Sequence, residues 1–192
     1  MTSPKLRNVL SVLRRNLETA DIPHALIGAM ALSFYGIPRY TADIDMLSDH
    51  RYKPPILQIM AELGFDCFQD TEVFAQFDSE MGVYGKVDFM FVATAEGRTI
   101  LERAVLIEDE LLGENPVVQP TDYAVLKLMA IANNPDRKNH DTADLEAMFK
   151  SVAAGLLDSA FDPVEIHHLR RFAERFQVSE ELEALLPLLD AG

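Results

Sequence analysis

The chain has 192 residues, of which 48% are hydrophobic and 25% charged. That composition suits one compact domain, or a small catalytic core with a packed helical extension. A formal net charge of −14 argues against an extended nucleic-acid footprint, because neutralising phosphates requires a basic surface. It leaves room for one small basic pocket that takes a triphosphate.

No apolar run is long enough to span a bilayer, and the N-terminus lacks a secretory pattern. The expectation is a cytoplasmic chain with no membrane partner. An acidic shell also favours small cationic partners.

The first predicted element is a helix over residues 3–20, with Ser3 as its cap and Pro4 at its first position. Leu6, Val9, Leu10, Leu13 and Leu17 form its apolar stripe. A short strand over 24–27 follows, broken by Gly28, then a short helix over 29–35 ended by Gly36. Residues 41–47 read as a strand and 54–63 as a helix stopped by Gly64. Two short strands are predicted over 65–69 and 73–77, and a stronger one, rich in Val and Phe, over 86–92. The single cysteine, Cys67, lies between Phe65 and Phe68 and reads as a small buried hydrophobe. From Ala95 onward helices dominate, with one extended stretch over 113–120. Helices are predicted over 121–132, 139–153, 163–176 and 179–189.

The fold class is therefore α+β, a small mixed β-sheet core flanked by helices with a C-terminal helical region. Residues 1–95 are expected to form the core and residues 96–192 a helical extension packed on it.

The informative stretch is GAMALSFYGIPRYTADID, residues 28–45. Side chains alternate along a strand, so Asp43 and Asp45 point to one face while Ile44 and Met46 point to the other. Two carboxylates on one buried strand stay ionised only if a cation compensates them; otherwise one takes up a proton. Magnesium suits such a site, since it prefers carboxylate and phosphate oxygens. Asp88 is a third acid, set in the apolar strand KVDFMFV, where an acid is costly unless it has a partner or a task. If this strand lies beside that of Asp43 and Asp45, the three acids converge. They could then hold two metal ions that clamp the attacking and leaving oxygens of a phosphoryl displacement.

The run Ile27-Gly28-Ala29, then Gly36, Arg39, Thr41, Asp43 and Asp45, resembles the signature of polymerase β-type nucleotidyltransferases. It is most similar to the small bacterial and archaeal group related to type IV abortive-infection toxins. The segment Leu126-Lys127-Leu128-Met129-Ala130, followed by Arg137, Asp141 and Asp144-Leu145, is similar to that group's second motif. The resemblance spans about residues 5–150.

It implies a nucleotidyltransferase core that moves a nucleoside monophosphate from a nucleoside triphosphate to a hydroxyl or phosphate acceptor, with pyrophosphate leaving. Asp43, Asp45 and Asp88 would hold two Mg2+ ions, with Mn2+ as the alternative, and Asp88 would help deprotonate the acceptor hydroxyl. Gly28 and Ala29 would turn backbone N–H groups toward the triphosphate. Arg39, Thr41 and Lys127 complete the expected nucleotide-binding set. The acceptor would be a small molecule, a protein or tRNA, and a cognate antitoxin is a further expected partner. Where the family has Gly-Gly or Gly-Ser, this chain has Gly28-Ala29, which keeps the N–H but loses a hydroxyl or some backbone freedom. That departure keeps a second function open, a catalytically weak nucleotide-binding module; a third is the toxin of a toxin–antitoxin pair.

Other features have structural readings. Asn139 or Asp141 is expected to cap a helix, and Asp144 to fix Arg137 or Lys138. Lys127, in LKLMAIA, reads either as a lysine snorkelling to the surface or as a pocket residue. His167 and His168 are adjacent, so they point to different sides of a helix. Arg170, Arg171 and Arg175 read as a solvated face alongside Glu174.

Overall fold

The computed structural model describes residues 4–37, 41–79 and 84–190; Ser3 and Arg39 fall outside that set. The chain divides into two compact units. One comprises Met1–Ala31 with Arg39–Val118, the other Leu32–Pro38 with Gln119–Gly192.

The first unit is built on a mixed sheet. Helix α1 (Pro4–Thr19) leads into β1 (His24–Leu26) and α2 (Gly28–Phe34), within which the boundary between the units falls. Then come β2 (Asp43–Asp49), α3 (Lys53–Glu62), β3 (Phe65–Asp70), β4 (Phe74–Ser79) and β5 (Lys86–Val92). The unit closes with α4 (Ala95–Glu102), β6 (Val105–Asp109) and β7 (Gly113–Val117). Among the described residues these strands form a seven-stranded sheet in the order β3-β4-β5-β2-β1-β7-β6. The β1–β7 and β2–β5 pairs are parallel and the remaining neighbours antiparallel.

The predicted α1 stripe is the face that packs: Leu6, Leu10, Leu13 and Leu17 are buried. Under the sheet lie Ile44, Met46, Phe77, Val87 and Phe89, with the Phe77 and Phe89 rings edge to face at 6.1 Å. The opposite face of β2, β5 and β4 stays half open to solvent. Gly85 fixes where β5 begins. Its φ is +84°, and a Cβ there would sit 2.8 Å from the Ala42 carbonyl oxygen, so the chain before β5 runs directly against the chain before β2.

Two details differ from expectation. Cys67 is exposed, not buried; β3 is an edge strand of which only Phe65 is covered, so Phe68 also stands in solvent. Residues 105–109 form β6, a strand where helix was expected. The consecutive Val105, Leu106 and Ile107 do not alternate with polar residues, and pairing with β7, not local pattern, makes the segment extended.

The second unit is helical: α5 (Pro120–Asn133), α6 (Lys138–Ala153), α7 (Ile166–Phe176) and α8 (Ser179–Leu185). Tyr35 anchors the preceding segment in it. Its ring lies edge to face with Tyr123 at 5.4 Å and Phe161 at 5.1 Å, and its carbonyl accepts a hydrogen bond from Ser151 Oγ. On α7, Arg170 forms a two-pronged ion pair with Glu183 at 2.7 and 3.1 Å, and the Arg175 guanidinium rests over Phe172 and Phe176. No helix among the described residues is long and apolar enough to cross a membrane.

At the start of β1, His24 Nδ1 hydrogen-bonds the Ile22 carbonyl at 2.8 Å, while its Nε2 is buried without a hydrogen-bond partner. Burial pushes the imidazole pKa below its usual value and outweighs the Ile22 hydrogen bond and Glu18, which pull it up; Arg14 adds to the lowering. The unfolded chain therefore takes up this proton more readily than the folded one. The stabilisation from a neutral His24 is complete above the ordinary histidine pKa and is lost as pH falls below about 6.5. Urea unfolding at about pH 7.5 and about pH 5.5 should show a smaller acid-induced loss of stability in His24→Gln than in the wild type; equal losses would remove His24 from the account.

Candidate active site

Two local interactions set the start of β2. Thr41 Oγ1 donates to the Asp43 carbonyl at 2.9 Å and accepts from the Asp43 N–H at 3.3 Å, a closed side-chain turn. Thr41 is buried by it, so this expected nucleotide-binding residue spends its hydroxyl on positioning Asp43. On the other side, the Ile27 N–H donates to the Asp45 carbonyl at 3.0 Å. Gly28 then turns with φ +62°, and a Cβ on it would fall 2.1 Å from Asp45 Oδ2. The Asp45 carboxylate thus rests on bare Gly28 backbone at the beginning of α2, a closeness and a turn that only glycine permits together. Ala29, next in α2, is half-buried.

Strand β5 lies parallel to β2 in unbroken register. Asp43 is opposite Lys86, Ile44 opposite Val87, and Asp45 opposite Asp88. Neighbours in register share a face and lie about 4.8 Å apart across the strands, so Asp43, Asp45 and Asp88 gather on the half-open side of the sheet. Each is half-buried, whereas Val87 and Phe89 on the reverse side are fully covered. One strand further out, Gln76 is in register with Asp88, and its Nε2 donates to Asp88 Oδ2 at 2.8 Å. Gln76 went unnoticed in the sequence, although alternation in FAQFDS puts it on the polar side with Asp78. At the far end of β2, Asp49 is buried and bound by Arg51 at 2.6 and 3.0 Å, with Arg98 at 3.8 Å. The Arg51 hydrogen bonds hold its carboxyl below the usual range despite its burial, so this acid is already neutralised by protein cations.

Lys127 belongs to the helical unit. It is buried, not snorkelling, and its Nζ lies 2.7 Å from both Asp141 Oδ1 and Asp144 Oδ2. This corrects two expectations. Neither Asn139 nor Asp141 caps α6, which begins at Lys138; Asp144 pairs with Lys127 instead of Lys138, which pairs with Glu181. Both acids instead turn inward and neutralise a lysine from the neighbouring helix. With His140, whose Nδ1 lies 3.6 Å from Asp144 Oδ2, they form a cluster whose ligand atoms all lie within 4.8 Å of one another. The Lys127 ammonium sets one positive charge between these two buried carboxylates.

The mixed sheet with its flanking helices matches the fold of solved nucleotidyltransferases. The solution structure of the antibiotic-resistance factor ANT(2'')-Ia matches with a TM-score of 0.62 at 13% identity, covering 93% of this chain and 96% of that one. The lincomycin-bound lincosamide antibiotic adenylyltransferase LnuA matches at 0.54 and 14% identity, over 77% of this chain and 96% of that one. A putative nucleotidyltransferase from Thermotoga maritima matches at 0.52 and 20% identity, over 73% and 94%. At such identities the likeness is one of fold. Membership is closer in sequence: the profile of the nucleotidyl transferase AbiEii toxin family, of a type IV toxin–antitoxin system, matches residues 11–190, and the chain belongs to that family. A comparison with curated proteins finds no match.

Removing the Lys127 charge should expose the cost of its partners. Lys127→Met is expected to lower stability by about 3–5 kcal/mol in urea unfolding, because two buried carboxylates lose their counter-ion. Adding Asp141→Asn and Asp144→Asn should recover most of that loss. A Lys127→Met protein as stable as the wild type would contradict the ion trio.

Proposed function

We propose that the chain transfers a nucleoside monophosphate from a nucleoside triphosphate to an acceptor hydroxyl or phosphate, releasing pyrophosphate. The observation that carries this reading is the register of β2 with β5, which sets Asp88 beside Asp45 on the face that also bears Asp43. The donor set fits a hard divalent ion: carboxylate oxygens only, half-buried, on adjacent strands. Asp43, Asp45 and Asp88 would hold Mg2+ or Mn2+, and the bound ions would supply charge compensation for the reacting phosphate and the leaving pyrophosphate.

The protein's own groups account for the remainder. Gly28 lets the triphosphate approach the backbone beside Asp45, and Ala29 adds an N–H at the same turn. Arg39 stays a proposed phosphate contact. Lys127 is spoken for by Asp141 and Asp144, which favours a structural role for it over a direct one. Attack by the acceptor oxygen forms a new bond to the α-phosphorus and breaks the bond to the bridging oxygen of the pyrophosphate. The acceptor proton passes toward the Asp88 carboxylate, which Gln76 holds in place. A small-molecule acceptor has precedent in the fold relatives, one of which was captured as ANT(2'')-Ia with adenylyl-2''-tobramycin. The net charge of −14 would favour a cationic one.

Incubation with α-labelled triphosphates, Mg2+ and a panel of amine-bearing and hydroxyl acceptors should give label on an acceptor and release of pyrophosphate. Asp45→Ala is expected to reduce this by about a hundredfold or more. Tight triphosphate binding with no transfer to any acceptor would instead identify a nucleotide-binding module.

The family match favours one addition: the transfer harms the cell that makes it, and a cognate antitoxin opposes that harm. Expression of the wild type should arrest growth, and Asp43→Ala should relieve the arrest. A well-folded wild type that leaves growth unaffected would count against the toxin reading.

A further inference from the structure

We infer that Lys86 is a side chain of the sheet unit that binds a phosphate oxygen of the nucleoside triphosphate; this rests on the nucleotidyl-transfer reading above and deepens it. The half-open face of the sheet carries a row of charges fixed by register. Asp43 on β2 is opposite Lys86 on β5, Lys86 is opposite Asp78 on β4, and Asp78 is opposite Asp66 on β3. The adjacent row holds Asp45, Asp88 and Gln76. Lys86 is thus the one cation among five acids in these two rows, in register with one proposed metal ligand and two residues before another.

Such a lysine would ordinarily pair with a neighbouring carboxylate. Lys86 forms no ion pair with any described residue; its ammonium lies over the Phe68 ring, 5.4 Å from the centroid. A solvent-exposed cation–π contact of that kind holds a lysine weakly, and a flexible four-carbon stem lets the ammonium leave it. Three other cations of the unit are already engaged. Arg51 and Arg98 serve Asp49, and Lys53 serves Asp70 and the Thr71 carbonyl.

The chemistry asks for a free cation at this place. A triphosphate brings several negative charges to a face that is itself acidic. Metal ions held by Asp43, Asp45 and Asp88 would be largely spent on those carboxylates, so a mobile ammonium beside Asp43 would offset the repulsion that remains. Lys86 replaces the Phe68 ring by a phosphate oxygen when the nucleotide arrives, and returns to the ring when it leaves.

The test is equilibrium binding to the full-length protein, by calorimetry, of the four ribonucleoside triphosphates with Mg2+, and of adenosine. Lys86→Ala is expected to weaken Mg-triphosphate binding by about tenfold or more, the loss of one charge-assisted hydrogen bond, and to leave any adenosine binding unchanged. Lys86→Arg should restore binding to within about threefold of the wild type, since the charge returns. Lys86 is exposed at the end of a strand, so the variant should melt with the wild type; Lys86→Gln serves if it does not. Triphosphate binding by Lys86→Ala equal to the wild type overturns the inference. The proposed function survives that result if Asp45→Ala still loses the Mg2+-dependent part of binding. A wild type that binds none of the four triphosphates overturns both.

Discussion

Asp45 and Asp88 stand side by side on neighbouring parallel strands, two like charges on a half-buried surface. Their mutual repulsion is a cost the fold sustains through everything packed around them. The apolar residues on either side of each acid in sequence, Ile44, Met46, Val87 and Phe89, face the core and lock the register. A slip of the pairing would place carboxylates in that core, so burying one side of the sheet aligns the acids on the other. Thr41 refines the arrangement from the chain just before β2, Gly28 from the start of α2 and Gln76 from β4.

Much of this could be read from the chain. Asp43 and Asp45 share a face by alternation alone, and Asp88 stood out as an acid within an otherwise apolar strand. What could not be read was that β5 lies next to β2, and parallel to it, since strand order depends on contacts between segments some forty residues apart. Gln76 and Lys86 escaped notice for the same reason. Each is an unremarkable polar residue in its own strand and acquires meaning only from the residue opposite. Cys67 and β6 were misread where local hydrophobicity pointed one way and position at a sheet edge decided the other.

The second motif illustrates the reverse case. Lys127 reads in sequence either as a snorkelling lysine or as a pocket residue, and Asp141 and Asp144 read as helix-end acids, residue types that usually stay in water. Spacing placed Asp141 and Asp144 one turn apart on α6, which let both reach the same ammonium from α5. Two charges of one sign and one of the other, taken out of water together, satisfy one another well enough to be buried. Geometry between helices, absent from a linear pattern, decides that all three lie in the interior of the helical unit.

Gly85 carries a consequence for how this fold tolerates change. Because its backbone touches the carbonyl of Ala42, the lengths of chain leading into β2 and β5 are tied at a single point. One extra residue between that point and Asp88 would rotate the rest of β5 by half a period, driving Asp88 inward and turning Val87 and Phe89 to water. Lineages descended from this chain should therefore hold the distance from Gly85 to Asp88 constant.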